Sequence, residues 1–193
     1  MLGDLLSGIG SFMAFESGDG RSTRSTDKPV LGITGPSGVG KTTLLVQLIP
    51  LLKAVGLRVG LIKHSHHDFE IDHPGKDSYQ LRKAGATPVL LTSPYRTALI
   101  AEQCGEEPSF SDSLACFDGF DCDLILVEGF KSISYPKLLV HRSNHSKAWA
   151  QPEDDTLLAV VTDSSLQSGL IELPLNDPEV VAAFVAQHFF PSC

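Results

Sequence analysis

Apolar residues in this chain fall in short runs, separated by glycine, proline and polar turns, and the runs are of two kinds. Val30-Leu31-Gly32-Ile33-Thr34, Leu57-Arg58-Val59-Gly60-Leu61-Ile62, Pro88-Val89-Leu90-Leu91, Asp123-Leu124-Ile125-Leu126-Val127, Lys137-Leu138-Leu139-Val140-His141 and Leu157-Leu158-Ala159-Val160-Val161 are too short for stable helices and predict strands. The unbroken apolar character of residues 124–127 points to a strand buried on both faces of a sheet. Arg96–Ala101 is a further strand candidate. The longer segments predict helices: one after Lys41 that runs to about Val55 and stops at Gly56, a second over Asp77–Ala84, a third over Ser109–Phe117, and a last one from Asp177 to Val185. Asp177 is suited to the N-cap with Pro178 in the first helical position, whereas Pro50 is expected to kink or interrupt the first helix. Strands alternating with helices predict an α/β fold, a mostly parallel sheet with helices on both faces. No internal repeat is visible.

Residues 1–28 read differently. Met1 to Phe15 has at most a weak helical pattern, and Glu16–Thr26 is rich in Gly, Ser, Thr and charge, so a flexible N-terminal extension is expected ahead of one domain over 29–193. The 193 residues are ordinary in composition, 42% hydrophobic and 20% charged, and carry a formal charge of −8. That charge argues against a general nucleic-acid or anionic-membrane binder. Membrane-spanning apolar runs are absent, and Met1-Leu2-Gly3-Asp4 lacks a basic signal-peptide region, so a cytoplasmic location is expected. Cys104, Cys116, Cys122 and Cys193 show no C-x-x-C spacing and read as free thiols.

Composition says little about chemistry; one loop says a great deal. Gly35-Pro36-Ser37-Gly38-Val39-Gly40-Lys41-Thr42 is a complete G-x-x-x-x-G-K-[ST] phosphate-binding loop, placed between a predicted strand and a predicted helix as that motif requires. Glycines let the backbone curl so that successive N–H groups point at phosphate oxygens, and the helix N-terminus adds its dipole. Lys41 is expected to reach the β/γ-phosphates and the Thr42 hydroxyl to bind Mg²⁺, which makes the chain a P-loop NTPase fold. Such a loop needs an acid at a nearby strand end. Glu128, where the run 124–127 stops at the carboxyl edge of the sheet, is the candidate metal partner.

Lys63-His64-Ser65-His66-His67-Asp68 follows another apolar strand to the same edge. Its histidines invite a transition-metal reading, but the spacing fits no zinc pattern, and a polar loop beside triphosphate is more economical. Lys63 then serves as an anion contact and Asp68 as an Mg²⁺-linked acid. In the segment Asp72–Ser78, Asp77 is suited equally to capping a helix and to meeting a ligand, and Arg82 and Lys83 read as a solvated face.

Taken together, residues 35–43, Gly60-Leu61-Ile62-Lys63-His64-Ser65-His66-His67-Asp68, Pro74-Gly75-Lys76-Asp77-Ser78-Tyr79 with Leu81–Ala86, and Asp123–Lys131 closely resemble the MobB family of molybdopterin-guanine dinucleotide biosynthesis adaptor proteins. The resemblance covers about residues 29–165. It implies a homodimer that holds GTP and Mg²⁺ and assists a MobA-type guanylyltransferase acting on molybdopterin, with weak intrinsic hydrolysis at most. The nucleotide set is then Gly35, Pro36, Ser37, Gly38, Val39, Gly40, Lys41, Thr42, Thr43, Lys63, His64 and Asp163, and the metal set Thr42, Asp68 and Glu128. Val127-Glu128-Gly129 also matches the strand end of dethiobiotin synthetase-like NTPases, which supports the metal role of Glu128. The guanine-reading Asn-Lys-x-Asp motif is missing. Asp163, ending the strand at Val160-Val161-Thr162, can take its place or simply form a turn. No catalytic residue is assigned; Arg96 and Arg142 are the candidate in-chain arginines. The competing readings are a P-loop small-molecule kinase or ligase, disfavoured because residues 143–156 offer only Lys147 among basic residues, and a metal-insertion GTPase, suggested by the histidines. Lys131, Lys137, His141 and Arg142 are candidates for a pterin phosphate site, against the default of solvated surface charge.

Overall fold

The computed structural model describes residues 28–65, 68–103, 105, 107–145 and 153–191. The expected N-terminal extension up to Asp27, His66, His67, Cys104, Lys147 and Cys193 lie outside the described residues. Twelve elements follow one another: β1 (Val30–Thr34), α1 (Lys41–Ala54), β2 (Val59–Lys63), α2 (Asp77–Lys83), β3 (Val89–Ser93), β4 (Arg96–Ile100), α3 (Phe110–Ala115), β5 (Leu124–Glu128), β6 (Lys137–His141), β7 (Leu157–Thr162), β8 (Glu172–Pro174) and α4 (Pro178–Phe189).

Six strands form a parallel sheet in the order β2-β5-β1-β6-β7-β8. The most apolar strands are central, as expected for strands buried on both faces: Leu124, Ile125, Leu126 and Val127 are all 0% exposed. Alternate residues serve opposite faces. Leu31, Ile33, Leu126, Leu138, Val140 and Val161 meet Leu44, Leu48 and Leu52 of α1 and Val181 and Val185 of α4, forming the main core. On the other face Ile125 and Val127 are covered by Tyr135, with Phe110, Leu114, Phe117 and Phe130 packed around them. Aromatic rings fit there because two strand positions have no side chain. A Cβ on Gly32 would lie 2.6 Å from the Tyr135 ring, and one on Gly60 2.6 Å from the Phe117 ring.

Helix α1 runs unbroken through Pro50, contrary to the expected interruption. Proline there deprives the carbonyl of Val46, four residues earlier, of its donor. Val46 and Pro50 are both exposed, so that carbonyl faces water, while the buried face through Leu44, Leu48 and Leu52 holds the helix on the sheet. Asp177 does cap α4, accepting from the Val180 N–H, with Pro178 at its start. The short strand β8 is an addition to the elements read from the sequence.

Two charged residues expected at the surface are buried. Lys137 is 2% exposed; its ammonium donates to Asp154 Oδ2 and Thr156 Oγ1 at 3.0 Å each and lies 5.0 Å from the Tyr135 ring centroid. It is an internal ion pair and does not offer its charge to a pterin phosphate. Arg82, read as part of a solvated face, is 8% exposed. Asp77 starts α2, but the N-cap is Lys76, one residue earlier than anticipated.

Strands β3 and β4 leave the main sheet and pair with each other as an antiparallel hairpin, Val89 opposite Ile100. Leu90, Leu99 and Tyr95 of this hairpin are 60%, 64% and 96% exposed. Among the described residues no helix is long and apolar enough to cross a membrane, and Cys116 and Cys122 are free thiols.

Candidate nucleotide site at the carboxyl edge of the sheet

Because all six strands run the same way, the segments after β1, β2, β5, β6 and β7 leave from one edge, where α/β sheets hold ligands. The phosphate loop occupies the centre of that edge. Gly35 has φ +140° and approaches the Val140 carbonyl so closely that a Cβ would sit 2.6 Å from it. Gly40 has φ +109°, caps α1, and accepts its first helical bond from the Leu44 N–H at 2.9 Å. Val39, between them, is 1% exposed and belongs to the main core. Its side chain anchors the loop from below, and only its backbone is available to a ligand. Ser37, Gly38, Thr42 and Thr43 are exposed.

Lys41 folds back on its own loop, donating to the Pro36 carbonyl at 2.8 Å and the Gly35 carbonyl at 3.2 Å. Burial pushes its pKa down; Glu128 opposes that, and the ammonium groups of Lys131 and Lys63 add to it. The Thr42 hydroxyl donates to Glu128 Oε2 at 3.4 Å, and Lys63 Nζ lies 3.7 Å from the same oxygen. Thus β1-loop-α1, β2 and β5 deliver one hydroxyl, one carboxylate and two ammonium groups to one place, and the charge of Lys131, just beyond β5, is felt at Lys41. The site carries excess positive charge suited to an anion, beside two hard oxygen ligands.

The remaining residues singled out from the sequence divide. His64 donates its backbone N–H to the Glu128 carbonyl at 2.8 Å, while its ring stacks on Phe130 (centroids 4.3 Å apart) and meets Glu107. Gly129 makes room for that ring, since a Cβ there would lie 2.5 Å from His64 Cβ; the close approach is to His64. Asp68 lines a separate cavity with Asp72, Arg82 and Glu102, and no described contact joins it to Thr42 or Glu128. No group of three or more His, Cys, Asp or Glu residues suited to a metal ion occurs among the described residues.

Asp163 accepts from the Ser143 N–H at 2.7 Å, which holds its carboxyl below the usual aspartate range. It lines an open cavity of about 370 Å³ at the ends of β7 and β8, together with Thr162, Ser164, Pro174 and Asn176. The neighbouring segment brings Arg142, one of the candidate arginines, to the phosphate loop together with His145, which the sequence did not single out. Arg142 donates from Nε to the Val39 carbonyl at 3.4 Å, and His145 Nε2 lies 3.0 Å from the Ser37 carbonyl. Through Ser143, Arg142 and His145 this segment joins the phosphate loop to Asp163. The available signal was their position just beyond a strand that ends at the ligand edge.

A profile of the family described as molybdopterin guanine dinucleotide synthesis protein B matches residues 30–163. The molybdopterin-guanine dinucleotide biosynthesis adapter protein of Escherichia coli (strain K12) is 45% identical over 164 residues, which span 82% of this chain and 92% of that protein. The adapter protein of the same description from Haemophilus influenzae is 45% identical over 159 residues, 81% of this chain and 87% of that one. A crystal structure of molybdopterin-guanine biosynthesis protein B superposes with a TM-score of 0.61 at 27% identity, covering 82% of this chain and 99% of the other. The likeness runs along nearly the whole length of these relatives, and the chain belongs to the MobB family.

Proposed function

We propose that the chain is an adapter in molybdopterin guanine dinucleotide synthesis that holds GTP and Mg²⁺ on the Gly35–Thr42 loop for a MobA-type guanylyltransferase, which joins GMP to molybdopterin. The observation that carries this reading is the Glu128 carboxylate within reach of the Thr42 hydroxyl and the Lys63 ammonium, beside a loop lysine, Lys41, whose charge is disfavoured by burial and by Lys131 and Lys63. Triphosphate oxygens complete that charge balance. Thr42 Oγ1 and Glu128 are hard oxygen donors already within hydrogen-bond reach of each other, the donor chemistry Mg²⁺ takes. When bound, the ion neutralises phosphate charge; the residues of the chain do the positioning. The cavity lined by Asp163 is the candidate base pocket, and the Asp163 carboxylate is of the right chemistry to accept from the N1–H and N2–H of guanine.

Calorimetric titration with GTP, ATP and their diphosphates, with and without Mg²⁺, tests the assignment. GTP should bind more tightly than ATP, and tightest with Mg²⁺. Equal affinity for ATP would refute the guanine reading, and rapid hydrolysis by the isolated chain would refute the carrier reading.

The adapter works in the cytoplasm as a homodimer. The β3–β4 hairpin supports the second point, because a two-stranded ribbon exposing Leu90 and Leu99 is marginal in water without cover. Sedimentation should show a dimer that Leu90→Glu with Leu99→Glu converts to monomer while the far-ultraviolet spectrum is preserved. A double variant that remains dimeric would exclude the hairpin as the interface.

A further inference from the structure

The carbonyl oxygens of the phosphate loop are held by side chains of two kinds. Lys41, on the loop itself, takes those of Gly35 and Pro36 at 3.2 and 2.8 Å. The others are reached from far along the chain. His145 Nε2 lies 3.0 Å from the Ser37 carbonyl and Arg142 Nε donates to that of Val39 at 3.4 Å, across 108 and 103 positions. A carbonyl only accepts, so the His145 ring carries a proton on Nε2 here. The Arg142 guanidinium also runs beside Gly40, where a Cβ would lie 3.5 Å from Nη2.

Both side chains leave one tight turn. The His145 N–H donates to the Arg142 carbonyl at 3.0 Å, and Ser143 and Asn144 between them are exposed while Arg142 and His145 are half-buried. The ends of the turn thus face the loop and its tip faces water. Asp163 fixes the same turn from another side, its Oδ1 accepting from the Ser143 N–H at 2.7 Å. That carboxylate stands just beyond β7 and lines the candidate base pocket. Four residues therefore tie the outer side of the phosphate loop to the neighbouring cavity.

The tie matters once the loop is loaded. A phosphate chain needs the loop N–H groups turned inward, which leaves the carbonyls facing out. Lys41 serves those carbonyls only until a phosphate offers it a charged acceptor. Among the described residues, the side-chain bonds then left on the loop carbonyls are those of His145 and Arg142. We propose that Arg142 and His145 are positioning residues that keep the phosphate loop in its binding curve, and that Asp163, by fixing their turn, makes phosphate affinity depend on a residue outside the phosphate site. The inference rests on the proposed nucleotide site and adds to it a coupling between the loop and the base pocket.

Inorganic tripolyphosphate with Mg²⁺ is the probe, because it can fill the loop and has no base. Its affinity is measured by calorimetry on the full chain, alongside GTP. Asp163→Ala should weaken tripolyphosphate about 3-fold to 10-fold, the effect of one net hydrogen bond. Charge alone gives the opposite sign, since taking a carboxylate from this edge favours a polyanion. Asp163→Asn keeps a side-chain carbonyl for the Ser143 N–H and should restore most of the loss. With Arg142→Ala and His145→Ala already in place, Asp163→Ala should cost nothing further. His145→Ala alone, expected to lose about 3-fold, supplies the reading should Asp163→Ala fail to fold. Tripolyphosphate bound by Asp163→Ala as tightly as by wild type or more so, a loss that Asp163→Asn does not rescue, or an equal loss in the double-variant background would each overturn the inference while GTP binding by wild type stands. If wild type binds neither tripolyphosphate nor GTP, the nucleotide reading falls and this inference falls with it.

Discussion

Lys41→Ala is expected to weaken GTP binding by about 100-fold or more, the loss of a charge-assisted contact worth roughly 3 kcal/mol to a multiply charged phosphate. The size follows from what surrounds the lysine. In the structure its ammonium is satisfied by the Pro36 and Gly35 carbonyls, and its charge is disfavoured by burial and by Lys63 and Lys131. An arriving triphosphate removes the repulsion among the three cations and gives Lys41 stronger acceptors than its own loop. Alanine leaves Lys63 and Lys131, which are peripheral, to carry the contact. Lys63→Ala should therefore cost less, about 10-fold, since its side chain is 59% exposed and its charge is screened by water. Calorimetry with both variants decides the matter. Equal losses would mean that the loop lysine has no privileged place, and unchanged binding by Lys41→Ala would remove the nucleotide from the loop altogether.

The largest effect on stability is expected from Asp154→Ala, about 3 kcal/mol by denaturant unfolding. Lys137 keeps its ammonium in a place 3% exposed, and among the described residues Asp154 is the only carboxylate bonded to it. Removing the acid strands a buried charge with only Thr156 Oγ1 and the Tyr135 ring. Lys137→Met should be milder, roughly 1 kcal/mol, because Asp154 is 30% exposed and can be hydrated when its partner goes. If methionine proves the more damaging substitution, the ion pair is contributing through Asp154 rather than through Lys137. The pair also sets a pH dependence. Hydrogen bonds from Thr156 and Lys137 hold the Asp154 carboxyl below the ordinary aspartate range. As pH falls, the unfolded chain takes up that proton before the folded one does. The contribution is therefore complete above about pH 4 and is lost as pH drops toward the folded-state value. In Asp154→Ala the acid limb of the stability curve should be flatter than in wild type.

Much of this architecture was legible in the residues. Leu124–Val127 announced a doubly buried strand because no polar residue interrupts it, and the strand–glycine turn–helix around Lys41 fixed both the fold and the ligand edge. The place of Glu128 at the strand end was legible for the same reason, as a charge that closes an apolar run. Failures came where the partner decides. Three-residue β8 has no period of its own and exists by pairing with β7. The run through Val89–Leu91 has strand character, but nothing in it says that it pairs only with β4 and leaves the sheet. Lys137 and Arg82 look like surface residues because sequence registers their charge and not the carboxylates, 17 and 20 positions away, that bring them inside. Arg142 was a candidate arginine, but His145 reaches the phosphate loop across more than a hundred residues, a distance over which local pattern is silent.

The strand order has a consequence for the timing of synthesis. β1, third in the sheet from its β2 edge, takes both its neighbours from late in the chain: Val30 pairs with Ile125, and Gly32 with Lys137. Until β5 emerges from a ribosome, the phosphate loop and α1 have no sheet to rest on, and β1 and β2 wait as unpaired edges. Only the local β3–β4 hairpin can close early. Folding then requires β5 to enter between β2 and β1, which joins the two halves of the future nucleotide edge in one step. A nascent chain halted before Leu124 should thus be open to proteases and to chaperones, and the phosphate loop is made well before the strands that come to support it.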